Sequence, residues 1–205
     1  MRAQRQETGF GYMRSKRIKL AGLIMTGGKN SRMDGKIKLF LKVGEKTFFQ
    51  KIMEAMDGIQ EIYLSVNTPE PYEKLGLPMV IDEIADIGPM GGLLSAMHKI
   101  EADALLVVAS DMPFVSREII GELIKAWEKE QKCYVVRTLS DDKVHPLLAI
   151  YPRAILPIVE KKVMEGNYRM MSVLKDAGVQ YVDLGSDDMS AVNVNSREEY
   201  QKIIK

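Results

Sequence analysis

The residues best equipped for chemistry lie in one stretch, Met25-Thr26-Gly27-Gly28-Lys29-Asn30-Ser31-Arg32-Met33-Asp34-Gly35-Lys36-Ile37-Lys38. Two adjacent glycines let a backbone approach a ligand closely and aim successive N–H groups at an anion. Four cations, Lys29, Arg32, Lys36 and Lys38, surround that turn, and phosphate is its natural guest. It is not the usual P-loop. Six residues separate Gly28 from Gly35, and Ile37 follows Lys36 where that motif needs a hydroxyl for magnesium. No Gly-x-Gly-x-x-Gly occurs, so the dinucleotide fingerprint is missing as well.

Three further segments carry polar groups behind apolar runs. In Ser110-Asp111-Met112-Pro113 the carboxylate of Asp111 suits magnesium as a hard oxygen ligand, or serves to turn the chain before proline. Asp82, Glu83 and Asp86 precede Gly88-Pro89-Met90-Gly91-Gly92, where such acids either hold a ribose or base edge or form a solvated loop. Asn193-Val194-Asn195 puts two amides on one side of an extended segment. Asn67, in Val-Asn-Thr-Pro, reads first as a turn former. His145 lacks a nucleophile partner and reads as structural or substrate-lining. Met53, Met56, Met97, Met170 and Met171 occupy core-like helical positions as gap-filling apolar groups.

The elements that must position these residues alternate. Apolar runs at Leu20–Met25, Ile62–Val66, Met79–Ile81, 105–109 and 134–136 read as strands, and so do 147–151 and Gln180–Leu184. Helical spacing covers 47–56, 90–100, 116–130, a segment ending near Glu165, and Met170–Asp176. A last helix starts at Ser196, where Ser196-Arg197-Glu198-Glu199 has the capping-box arrangement. The pattern predicts an α/β, Rossmann-like three-layer fold, a mostly parallel sheet with helices on both faces. Ligands in such sheets gather at the carboxyl ends of the strands, where strand order reverses.

Composition narrows the classes. The chain has 205 residues, 46% hydrophobic and 28% charged, with 29 basic against 28 acidic groups, which fits one globular domain. Residues 1–20 hold six basic groups and one acid, and the remaining 185 carry 23 basic and 27 acidic ones. That balance argues against nucleic acid or an anionic membrane as partner. Residues 1–19 read as a basic, disordered leader, or as sequence ahead of an internal start at Met13, before a single domain over 20–205. One cysteine, Cys133, excludes an intrachain disulfide, and no apolar run is long enough to span a bilayer, so a cytoplasmic protein is the expectation.

Together the segments resemble the molybdenum cofactor guanylyltransferase family, within the nucleotidyltransferase superfamily. Its Leu-Ala-Gly-Gly-x-Ser-x-Arg-Met-Gly-x-x-Lys element is similar to Met25-Thr26-Gly27-Gly28, Arg32-Met33, Gly35 and Lys38. Asp82 with Gly88-Pro89, then Ser110-Asp111-Met112-Pro113, His145-Pro146 and Asn193 to Glu199 follow in the family's order. Thr26 and Asp34 depart from it, Asp34 adding a negative charge to the loop. The resemblance implies an enzyme that transfers GMP from GTP to molybdopterin-bound molybdenum, releasing pyrophosphate. It implies magnesium on Asp111, with Lys38, Asp111 and Arg32 catalytic and Lys38 a mobile charge swinging onto the triphosphate. Met25, Thr26, Gly27, Gly28, Lys38, Asn67, Asp82 and Asp111 would bind nucleotide, and Asn193 and Asn195 would lie on the pterin side. Other proteins of molybdenum cofactor biosynthesis and molybdoenzymes are the implied partners. The rival readings are a molybdopterin cytidylyltransferase, another small-molecule nucleotidyltransferase of this fold, and a non-catalytic nucleotide-binding protein.

Overall fold

Seven strands form one sheet. The computed structural model describes residues 18–26, 32–33 and 36–204, and of Arg32, Met33 and Lys36 the backbone alone. The strands are β1 (Leu20–Met25), β2 (Ile62–Val66), β3 (Met79–Ile81), β4 (Ala104–Ala109), β5 (Tyr134–Thr138), β6 (Lys143–Pro152) and β7 (Gln180–Leu184). They lie in the order β7-β5-β6-β4-β1-β2-β3. The helices are α1 (Phe48–Ala55), α2 (Pro89–Lys99), α3 (Arg117–Glu130), α4 (Leu156–Met164), α5 (Met170–Asp176) and α6 (Arg197–Ile203).

The period of two along each strand sorts its side chains onto two faces. Ile24, Leu64, Leu106, Val108 and Ile150 meet Ile52 of α1, Met56 just after it, and Ile119, Leu123 and Trp127 of α3. Leu23, Met25, Leu105, Val107 and Ala149 meet Met90, Leu93 and Met97 of α2, Val159 of α4 and Val173 of α5. Continuous apolar runs such as Ala104–Ala109 are buried along their whole length because both faces are covered. The expected three layers are present.

One strand runs against the rest. β6 is antiparallel to both β4 and β5, while β1 pairs in parallel with β2 and β4. The cause is the short link 139–142, because a parallel return requires a crossover of a dozen residues or more. The register of β6 shifts between His145 and Ala149.

From β1 the chain winds outward through β2 and β3, then returns to lay β4 on the other side of β1. The reversal of order puts the crevice at the carboxyl ends of β1 and β4, where Met25-Thr26 and Ser110-Asp111 emerge. Lys19, on the leader side of the expected boundary, is bound to the body. Its N–H donates to the Asp103 carboxylate at 2.8 Å and its carbonyl accepts from the Asp103 N–H. Strand-like bonding therefore begins one residue before β1, and leader residues 1–17 lie outside the described residues. Met171 is also displaced from its expected core position: it is 48% exposed, because α5 turns Met170, Val173 and Leu174 inward.

Leu106, at the centre of β4 and fully buried, tests how far the sheet carries stability. Leu106→Ala should cost about 2–5 kcal/mol through lost transfer energy and a residual cavity. In urea titrations the midpoint should fall at unchanged slope.

Candidate active site

Strand β1 delivers the first site residue. Thr26 is 2% exposed, and both its N–H (3.1 Å) and its Oγ1 hydroxyl (2.7 Å) donate to the Ser65 carbonyl at the end of β2. The hydroxyl that distinguishes Thr26 from the alanine of the resembling motif is thus spent on the sheet. Gly27, Gly28, Lys29 and Asp34 lie outside the described residues. Arg32-Met33 pairs antiparallel with Lys36-Ile37, so the stretch returns on itself before Lys38.

Lys38 opens a short 3-10 turn, Lys38–Phe40, and is 2% exposed. Its ammonium donates to Asn195 Oδ1 at 3.1 Å and to Asp111 Oδ2 at 3.4 Å. The other carboxylate oxygen of Asp111 accepts from Asn193 Nδ2 at 3.0 Å, and the Asp111 carbonyl accepts from the Val194 N–H at 2.8 Å. This corrects the expectation of a mobile lysine. A buried ammonium must be paired and hydrogen-bonded, and those demands hold Lys38 in one place.

Asn193 and Asn195 do share one side of their segment. Between them Val194 points the other way, 1% exposed, into a small cluster with Leu41 and Phe48. The structure brings both amides onto the Lys38–Asp111 pair itself, an arrangement that strand-end spacing alone does not specify.

A second cluster forms beside β2. Ser65 Oγ donates to Asp82 Oδ1 at 3.3 Å, and Asp82 N–H donates to the Val66 carbonyl. Burial pushes the Asp82 carboxyl above its ordinary range, against the opposing effects of Ser65 and Lys99. The first turn of α2 lies against it because Gly91 and Gly92 have no side chain. A Cβ on Gly92 would stand 2.3 Å from Ser65 Oγ and 2.7 Å from Met25 Cε. Gly88, the residue before α2, sits at φ +64°, ψ −149°, which glycine alone adopts readily.

The neighbouring acids have other fates. Glu83 accepts from His98 (2.8 Å), whose other ring nitrogen meets Glu160 of α4 at 3.1 Å. The Glu83 contact, with support from Glu160, holds the His98 imidazolium above its usual range. Asp86 is exposed, and so is Asn67 at the end of β2. His145 is buried and bonded through Nε2 to Thr138 Oγ1 (2.8 Å), and burial lowers its pKa. Burial also pushes the Cys133 thiol up to about 12, which rules it out as a nucleophile at neutral pH. Ser65 is the site residue that the sequence reading missed. Its signal was a small polar residue inside the run Ile62–Val66.

A hollow of about 430 Å³ lies at the opposite end of β1, lined by Ile18, Leu20, Ile59 and Ile124. Three of its four charged residues are ion-paired, Lys19 with Glu61 and Asp57 with Arg117. Despite its size it faces away from the strand ends where polar groups converge.

Comparison with known proteins supplies the family. Residues 22–183 match the family described as the MobA-like NTP transferase domain. A Clostridium perfringens protein named "Probable molybdenum cofactor guanylyltransferase" is 30% identical over 196 residues, covering 92% of this chain and 98% of its own. A Flavobacterium johnsoniae protein of the same name is 31% identical over 181 residues, covering 88% and 94%. The crystal structure of molybdopterin-guanine dinucleotide biosynthesis protein A from Archaeoglobus fulgidus superposes with a TM-score of 0.67 at 20% identity, covering 89% of this chain and 96% of that one. That last likeness speaks to the fold.

The raised pKa of Asp82 fixes the sign of a stability effect. The native state binds the proton more tightly than the unfolded chain, so stability falls as pH rises through the interval above the unfolded value, about 3.9. Asp82→Asn should therefore melt above the wild type at pH 7. The difference should vanish near pH 3, where both side chains are neutral, as followed by calorimetry.

Proposed function

The chain belongs to the MobA-like NTP transferase family, and from that membership we propose that it transfers GMP from GTP to molybdopterin-bound molybdenum. The products are the guanine dinucleotide cofactor and pyrophosphate. The protein is a nucleotidyltransferase, and in this reading the chain from Leu20 onward acts as one catalytic domain. The observation that carries the proposal is the enclosed Lys38–Asp111 pair, closed by Asn193 and Asn195, at the point where strand order reverses.

In the reaction a terminal phosphate oxygen of molybdopterin attacks the α-phosphorus of GTP. The bond from that phosphorus to the bridging oxygen breaks, and the electron pair leaves with pyrophosphate. Nothing covalent is asked of the protein, so positioning and charge stabilisation are its whole contribution. Lys38 is fixed in advance by Asn195 and Asp111, so its charge can meet the developing negative charge without reorganising. Arg32 and the backbone of Met25-Thr26-Gly27-Gly28 complete the phosphate side in this assignment. Asn67 and Asp82 serve the nucleoside, and Asn193 and Asn195 adjoin the incoming pterin phosphate.

Asp111 fits magnesium. Among the described residues no group of three His, Cys, Asp or Glu side chains could hold a metal. A single carboxylate suits an ion whose remaining ligands are substrate phosphates and water. When bound, magnesium would neutralise triphosphate charge, and Asp111 is the residue that would hold it.

Among the described residues no helix is long and apolar enough to cross a membrane. The cytoplasm is the compartment we assign, in keeping with a lone, buried Cys133. Proteins that supply molybdopterin or receive the finished cofactor are the partners this reading requires.

Two measurements test it. A thermal-shift series with magnesium and GTP, CTP, UTP or ATP should favour GTP, and a larger shift with CTP would replace guanylyl by cytidylyl transfer. Asp111→Asn should keep the fold and lower turnover at least about 10²-fold, the scale of one lost electrostatic stabiliser. Normal rates at limiting magnesium would remove Asp111 from the metal.

A further inference from the structure

We propose that Glu199, on the last helix, is a positioning residue for the transfer, holding Asn195 so that its side-chain oxygen fixes Lys38. This inference rests on the nucleotidyl-transfer reading given above. One oxygen, Glu199 Oε2, accepts from the Asn195 N–H at 2.6 Å and from the Ser196 N–H at 3.1 Å. An ordinary capping box needs only the second of these, the return contact to the cap residue. The first reaches one residue further, onto the amide whose side chain takes the Lys38 ammonium at 3.1 Å.

The helix that carries Glu199 is itself anchored beside Lys38. Tyr200 donates its hydroxyl to the Lys42 carbonyl at 2.8 Å and accepts from the Lys42 N–H at 3.3 Å. Its ring meets Phe48 edge-on, with centroids 6.1 Å apart. The segment 38–42 and the segment 195–200 are therefore tied at both ends, by Asn195 to Lys38 and by Tyr200 to Lys42. The amides of Asn195 and Ser196, and behind them the Lys38 charge, hold the Glu199 carboxyl below its usual range. These contacts favour the ionised carboxylate.

Four variants of the full chain test the proposal: Glu199→Ala, Glu199→Gln, Ser196→Ala, and Glu199→Ala combined with Lys38→Ala. Initial rates are taken with GTP, magnesium and molybdopterin-loaded protein, alongside equilibrium GTP binding. Glu199→Ala should lower kcat at least about tenfold and change GTP affinity less than about threefold, because Lys38 acts on the transition state. Glu199→Gln keeps one carbonyl oxygen for both amides and should stay within about threefold of wild type. Ser196→Ala frays the same helix end without touching Asn195, and should keep its rate. The double variant should be no slower than Lys38→Ala alone, since residues acting through one contact are not additive. Full additivity, or a Ser196→Ala loss equal to that of Glu199→Ala, would overturn the proposal.

A readout without turnover separates this idea from the reaction assigned above. The ¹⁵N signal of the Lys38 ammonium, slow to exchange protons in wild type, should exchange faster in Glu199→Ala and not in Ser196→Ala. An unchanged signal refutes the positioning role whatever the rates. A wild-type rate for Lys38→Ala, with the signal behaving as expected, refutes the transfer mechanism and leaves the contact standing.

Discussion

An ammonium with 3% of its side chain exposed, facing a carboxylate with 18%, is the constraint around which the rest of this fold is arranged. Desolvating two such charges costs several kcal/mol per ion unless geometry and extra hydrogen bonds offset it. Asn195 supplies an acceptor to Lys38, Asn193 a donor to Asp111, and Val194 a backbone donor to the Asp111 carbonyl. These three residues come from a segment more than 150 positions beyond Lys38, so the pair is satisfied only after the chain's end has docked. The hydrophobic contact of Val194 with Leu41 and Phe48 gives that segment a reason to dock apart from its polar work. Removing either charge alone would strand the other in a site built for two.

The cluster beside β2 is held by different means. There a desolvated carboxylate, Asp82, has a long bond to Ser65 and a glycine-lined approach from α2. Thr26 and Asp82 meet through the same residue, since the Ser65 carbonyl takes Thr26 and its hydroxyl reaches Asp82. A shift of β2 along its neighbour would move both together. Burial raises the proton affinity of Asp82, so its ionised form is costly to the fold.

Much of this was legible in the sequence, for identifiable reasons. β1, β2, β3, α5 and β7 have the bounds read from the sequence, and in β1 and β2 the reason is that strands covered on both faces read as apolar runs. The capping box at Ser196 is present as its residue types require. The direction of β6 was hidden, since hydrophobic pattern carries no sign and only the length of the link 139–142 distinguishes return from crossover. The burial of Lys38 was hidden too. A lysine within a basic loop reads as solvated, and its counter-charge and its amide acceptor lie 73 and 157 residues away. Ser65 escaped because a serine inside a strand is usually tolerated polarity, and its two contacts belong to segments that meet only in the folded sheet.

The reversed strand shapes the rim of the sheet beside β4. An all-parallel sheet delivers every strand's carboxyl end to the same rim, whereas β6 begins at that rim and runs away from it. Its start brings His145 beside Thr138, where a buried imidazole is satisfied by a hydroxyl on the neighbouring strand and its charged form is disfavoured. Lys143 and Asp141 flank that imidazole, the lysine lowering its proton affinity further and the aspartate opposing it. The reversal that pairs the start of β6 with β5 also lays its later half against β4, the strand from whose end Asp111 emerges to face Lys38.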